Sequence, residues 1–251
     1  MIPRTLSAVE FECDVSGDQN FPLWPCPACD HGVLQLSGGS IKFASSAEIG
    51  FAIDEGHLNP WDDRGVFAAT LTCANTACWQ GVATLGDFSN DTPDGIYMVP
   101  GRGFECRIVR RYVVKAIYPA LKLINIPKDI SNSIVSPLEQ SFGLYWTDPQ
   151  ACATAIRIAI EKTADGLGER RLGRNSRTVS LGIHLNDLKV SHPKLMDAFS
   201  IITKTLGNAG AHGKPIERND LLVAYELLEI ELQALSNDMS GRRDALIAQL
   251  R

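Results

Sequence analysis

The chain has no uninterrupted apolar run of the roughly eighteen residues that a membrane-spanning helix needs, so no membrane contact is expected. Its first residues, MIPRTLSAVEFEC, carry no signal-peptide core and turn acidic early, which points to the cytoplasm. No glycine-rich phosphate loop, no G-x-S-x-G and no H-E-x-x-H occurs. That removes the commonest signatures of nucleotide hydrolysis, serine hydrolysis and zinc proteolysis. Internal repeats and low-complexity segments are also missing. Basic residues are scarce in the first hundred positions: Arg4, Lys42 and Arg64 stand against thirteen acidic residues, a net of −10. Residues 101–251 carry 21 basic and 16 acidic residues, a net of +5, and the two halves sum to −5. Only the second half could attract a polyanion through its overall field.

What is present begins with 251 residues and 45% apolar content, enough for one large or two small domains. Seven cysteines in a cytosolic chain read as metal ligands or plain thiols rather than disulfides. Cys26-Pro-Ala-Cys29, followed closely by Gly32, is a C-x2-C knuckle, and Cys73 to Cys78 form a second, C-x4-C pair. Two tight turns, each presenting two thiolates, give zinc its four tetrahedral corners, and four cysteines leave no open position, so such a Zn2+ is structural. Strand-like runs at Gly32–Leu36, Val66–Leu71 and Val82–Phe88 surround the pairs, as in a zinc ribbon. His31 and His57 are weaker ligand candidates, and Cys13, Cys106 and Cys152 read as ordinary buried thiols. Residues 44–65, with Asp54, Glu55, Asp62 and Asp63, read as an irregular insert without an assigned role. Phe104 to Ile117 predicts a long strand or hairpin arm, with Arg107, Arg110, Arg111 and Lys115 making either a solvated face or a phosphate-contacting stripe. A proline-bounded connector places the domain boundary near 126, giving 1–126 and 127–251.

The second half predicts helices. Asp129 or Ser131 caps the first, with Ile134, Leu138 and Phe142 as its stripe. Thr147-Asp148-Pro149 starts the second, over 148–168, and its ACATAIRIAI stretch is apolar on nearly every side, which makes it central. Arg157 and Glu161, four apart, form either an exposed pair or a partly desolvated one needing further partners. Arg170, Arg171, Arg174 and Arg177 make a basic loop, a nucleic-acid-binding candidate. A short helix over 181–189 precedes one starting at Pro193 and stopping at a Gly207 cap; further helices follow over 217–236 and from 238. The polar bend from Lys204 to Gly213 holds Asn208 and His212; either Asn208 ties the bend to backbone and His212 caps a neighbouring carbonyl, or His212 is the first candidate for proton transfer.

The strings "ATAIRIAIE" and "LGNAGAHG" resemble the bacterial domain of unknown function 4145 family over residues 127–237. That family is similar in layout to HEPN domains, helical bundles that are often dimeric and often metal-independent endoribonucleases of defence systems. The resemblance implies an all-α HEPN-like bundle for the second half; with the N-terminal β-rich zinc ribbon read from the cysteine pairs, the expected chain is α+β. It places Asn208 and His212 at the polar and histidine positions of the HEPN motif. Gly207 stands where the motif has arginine, so Lys204 or Arg157 would supply the cation.

Two functions follow. In the first, the chain is a nucleic-acid- or protein-binding module of a bacterial antiviral defence system, an RNA-binding or partner-binding homodimer. In the second, His212 is general acid or base in metal-independent RNA cleavage, with Asn208, Arg157, Glu161 and Lys204 around it and the four arginines guiding RNA.

Overall fold

The computed structural model describes residues 10–14, 21–29, 31–92, 95–100, 103–106, 108–173, 177–211 and 215–249. The chain forms two compact units, Pro3–Leu121 and Lys122–Arg251.

The first unit contains strands β1 (Glu10–Asp14), β2 (Leu34–Leu36), β3 (Lys42–Ser45), β4 (Arg64–Cys73), β5 (Gly81–Asp91), β6 (Ile96–Val99), β7 (Gly103–Cys106) and β8 (Val109–Tyr118), with helix α1 (Ala47–Asp54) after β3. An antiparallel sheet runs in the order β1-β8-β5-β4-β2, with β3 also on β4, while β6 and β7 make a separate hairpin. Period-2 patterning builds it: Phe67, Ala69, Leu71 and Cys73 of β4 and Val82, Thr84 and Phe88 of β5 are buried, and the residues between them are exposed except half-buried Thr72 and buried Gly86. Phe67 packs edge-on to Tyr112 with ring centroids 4.9 Å apart. The β5–β8 register shifts between Leu85 and Gly86. Gly86 is needed there, since a Cβ would come within 2.0 Å of the Val113 carbonyl oxygen.

The basic run in β8 is internally neutralised. Arg110 is buried, its guanidinium 4.0 Å from the Phe43 ring centroid and 4.5 Å from that of Phe88, and its Nε donates to Asn90 Oδ1 (2.9 Å). Arg111 pairs with Asp91 (2.9 Å) and Lys115 with Asp87 (3.4 Å) across the strands. Arg107 lies outside the described residues. The insert at 44–65 is more ordered than its composition predicts, holding α1 and a 3-10 turn at Pro60–Asp62.

The second unit comprises α2 (Asn132–Thr147), α3 (Pro149–Leu167), α4 (Leu181–Leu188), α5 (Pro193–Ala211) and α6 (Arg218–Gln249). Ser131 caps α2, its hydroxyl accepting from the Ser133 N–H (3.4 Å), while Asp129 instead accepts from the Ser236 hydroxyl (2.7 Å). Asp148 caps α3 by accepting from Gln150 N–H (3.0 Å) and Ala151 N–H (2.9 Å), with Pro149 in the first turn. α3 packs against α2, α4, α5 and α6. Small residues on it, Ala153, Ala155, Ala159 and Ala164, are buried beside Ile156 and Ile160 and allow that close approach. Below them Cys152 Sγ lies 3.2 Å from the Tyr225 hydroxyl, which donates to Ser141 (2.6 Å), whose hydroxyl donates to the Leu138 carbonyl (2.6 Å). Among the described residues, no helix is long and apolar enough to cross a membrane.

These elements correct the expected fold class. The first half is a six-stranded antiparallel sheet, and the helical half does not show a HEPN-like bundle. Gly207 does not end a helix: α5 runs through it to Ala211. A helical glycine costs about 1 kcal/mol relative to alanine, less than the contribution of the buried Phe199, Ile202 and Leu206 on the same helix. The predicted break near 237 is also missing, because α6 is continuous to Gln249.

Candidate metal centre

Two hairpin ends converge on the cysteines. In the first, Cys26 N–H donates to the Gly32 carbonyl (2.9 Å) and Leu34 N–H to the Trp24 carbonyl (2.8 Å), with Trp24 fully buried beneath. In the second, Cys73 N–H donates to the Gln80 carbonyl (2.9 Å), and Cys78 N–H and Trp79 N–H both donate to the Asn75 carbonyl (2.9 and 3.2 Å). Ala74 N–H donates to the Val33 carbonyl (2.9 Å) and ties one hairpin to the other.

The four sulfurs of Cys26, Cys29, Cys73 and Cys78 all lie within 4.8 Å of one another. Cys26 and Cys78 are 3.8 Å apart and Cys29 and Cys73 3.6 Å. A tetrahedron with metal–sulfur bonds of about 2.3 Å has sulfur–sulfur edges of about 3.8 Å, so the spacing suits a metal ion. It is far beyond a disulfide bond of about 2.04 Å. These four cysteines could therefore hold a metal ion. Gly32 shapes the cradle: a Cβ there would lie 2.2 Å from Cys73 Sγ and 3.1 Å from Cys29 Sγ.

Two of the sulfurs receive a backbone N–H from two residues along the chain. Ala28 N–H reaches Cys26 and Asn75 N–H reaches Cys73, both at 3.4 Å. Asn75 Nδ2 adds a longer contact to Cys29 Sγ (3.7 Å). Burial pushes the Cys29 thiol up, but the His31 N–H together with Cys78, Cys73 and Asn75 outweighs it and brings the value down to about 6. Burial pushes Cys73 up to about 12, with hydrogen bonds from the neighbouring thiols adding to it. Cys78 is also raised: the Gln80 N–H pulls it down, but burial and the Cys29 and Cys26 sulfurs prevail. Four thiols this close do not all ionise without a cation to offset the like charge.

The spacing of the cysteines and the glycine after the first pair were legible in the sequence; Asn75 and the role of Trp79 were not, because both depend on the turn's backbone. Trp79 adopts φ 54° with its side chain 69% exposed. His31 and His57 are exposed and do not join the cluster. Cys152 is buried, as expected of a plain thiol, and the side chains of Cys13 and Cys106 lie outside the described residues.

The candidate residues of the helical unit are only partly brought together. Arg157 is exposed and lines a cavity of about 200 Å³ with Gln150, Thr154, Thr203 and Gly207. Its Nη1 lies 3.8 Å from where a Gly207 Cβ would be. Glu161 binds Arg170 (2.7 Å) rather than Arg157, and Arg170 also binds Asp165 (3.0 Å). Arg171 pairs with Asp187 (2.6 Å), and Arg177 and Lys204 are exposed. His212, Arg174 and the Asn208 side chain lie outside the described residues. His184, which belongs to no sequence motif, is buried on α4 with Nε2 3.5 Å from Asp165 Oδ1. No signal short of the fold points to it, since Asp165 is brought near by helix packing.

The resemblance to the domain of unknown function 4145 family is overturned: its short strings lie in α3 and around the end of α5, and the family match falls in the other half of the chain. No curated protein and no solved structure matches the chain. Residues 16–98, which hold all four clustered cysteines, match a family described as a domain of unknown function (DUF8608).

Proposed function

We propose that this chain is a protein-binding module whose first unit is held by a structural Zn2+ on Cys26, Cys29, Cys73 and Cys78. The observation that carries the reading is the closed set of four sulfurs within 4.8 Å of one another, with backbone N–H donors on Cys26 and Cys73. A bound ion would offset half of the charge of the clustered thiolates and join the two hairpin ends; with four protein ligands it keeps no site for substrate water. A protein partner is favoured over nucleic acid because four of the cations that could grip phosphates are engaged, while Arg177 and Lys204 stay exposed. Arg170, Arg171, Arg111 and Lys115 all pair with carboxylates. Four thiolates also suit iron, so elemental analysis of the purified full chain is the test. One zinc per chain is expected, lost in Cys29→Ser and Cys73→Ser. Iron, or no metal, overturns the zinc assignment. Cleavage or tight binding of labelled RNA in the presence of chelator overturns the choice of partner.

A further inference from the structure

Trp79 sits where the second knuckle turns back into β5, immediately after Cys78 and two residues before Gly81. The turn has its own reason for a positive φ: it returns the chain to the Cys73–Gln80 hydrogen bond after Trp79 N–H has bonded Asn75. Glycine would meet that requirement without strain. An aromatic residue at φ 54° is a backbone outlier, and among the described residues it is the one non-glycine with positive φ. Burial does not compensate, because the side chain is 69% exposed. The metal site thus explains the backbone and leaves the choice of tryptophan unexplained. Two further apolar side chains of the first hairpin end are exposed, Leu23 (58%) and Val33 (38%), and the Val33 carbonyl accepts from the Ala74 N–H of the second knuckle.

Charge selects the kind of partner. Residues 3–121 carry eight basic and fourteen acidic residues, a net of −6. Such a field repels phosphate backbones and draws in cations. An exposed indole in that field offers a face to lysine or arginine through cation–π attraction, while Leu23 and Val33 offer contact to aliphatic stems.

We infer that Trp79 is the anchor of a docking surface for a basic peptide segment of a partner protein, with a lysine or arginine side chain lying over the indole. The inference rests on the protein-binding reading and names the partner's chemistry. Its test uses the full-length, metal-loaded chain and a fluorescent lysine- and arginine-rich peptide, read by anisotropy at low and high salt. Trp79→Gly is expected to bind roughly tenfold more weakly, with unchanged metal content and an unfolding temperature equal to or above the parent's. Trp79→Phe is expected to keep most of the affinity. Equal binding by Trp79→Gly overturns the inference, because the acidic field alone would then suffice. A lower melting temperature or lost metal in Trp79→Gly overturns it as well, by making the indole structural. So does the absence of peptide binding by the parent, or Trp79-dependent binding of single-stranded oligonucleotide. The metal measurement separates these outcomes from failure of the zinc reading.

Discussion

At the scale of single residues, the sharpest constraint is Gly32. Its φ is not the reason; space is, since a Cβ would lie 2.2 Å from Cys73 Sγ and 3.1 Å from Cys29 Sγ. Neither sulfur can retreat without spoiling the cluster's spacing. Gly32→Ala is therefore expected to release metal faster to a chromogenic chelator and to lower stability by about 1–3 kcal/mol. Denaturant midpoints and release rates check both. A second residue-scale effect lies in the helical unit. Burial pushes Cys152 up to about 12, with the Tyr225 hydroxyl opposing and the Asp148 charge adding. Burial likewise pushes Tyr145 up to about 12, against the pull of Arg218, and Tyr225 is raised well above its ordinary range, again by burial first. In each case folding favours the neutral form. Their contribution is whole below about pH 9, where the thiol is neutral in folded and unfolded chains alike. It falls as pH rises from about 9 toward 12, when the unfolded chain ionises and the folded one does not. Urea midpoints should decline over that window, and Cys152→Ala should delay the onset toward pH ~10, where the phenols begin to ionise. Midpoints independent of pH to 11, about a unit below the raised values, would contradict the burial argument.

At the scale of elements, the α2–α3 corner is the clearest case of sequence speaking directly. Asp148 accepts from two backbone N–H groups at the start of α3 and Pro149 presets the first turn. Asp148→Ala is expected to cost about 1 kcal/mol, seen as a lower thermal midpoint with helix content otherwise unchanged by circular dichroism. That start was readable because a cap and a first-turn proline act locally, and the buried stripe Ile134, Leu138 and Phe142 was readable because helical periodicity is local too. The alternating faces of β4 and β5 were equally plain. What could not be read was decided by distant parts of the chain. Gly207 looks like a helix stop, yet α5 continues past it, since packing by Phe199, Ile202 and Leu206 overrides a local preference. The basic run of β8 could be a solvated face or a phosphate stripe from its sequence alone, and only the pairing with β5, which brings Asp87 to Lys115 and Asp91 to Arg111 diagonally across the strands, shows those cations engaged. The pairing of β1 with β8 joins segments about a hundred residues apart, a register that no local pattern encodes. The four clustered cysteines were legible because their spacing is short and chemically specific; the expected Arg157–Glu161 pair was not settled by spacing, because Arg170 binds Glu161.

At the scale of the whole molecule, the question is what a metal ion would stabilise. The binding free energy of a structural zinc is about 10–16 kcal/mol in small zinc-binding units, while an entire domain is stable by about 5–15 kcal/mol. A sheet whose hairpin ends are joined through four thiolates would thus lose most of its margin without the ion. The helical unit contains none of the four ligands, and its buried side chains, among them Leu138, Trp146, Ile156, Phe199, Tyr225 and Leu228, come from its own helices. Chelation followed by amide hydrogen exchange on the full chain should therefore raise exchange across β2, β4 and β5 and the two cysteine turns. Protection within α2, α3 and the first half of α6 should persist. Zinc addition under reducing conditions should restore the lost protection, because thiols 3.6–3.8 Å apart are poised to oxidise once the ion leaves. If exchange in β4 and β5 does not respond to chelation, the sheet stands on its apolar face alone, with Phe67, Leu71, Val82 and Phe88 sufficient to hold it. The cysteines would then be a binding site carried by the fold, with no part in forming it.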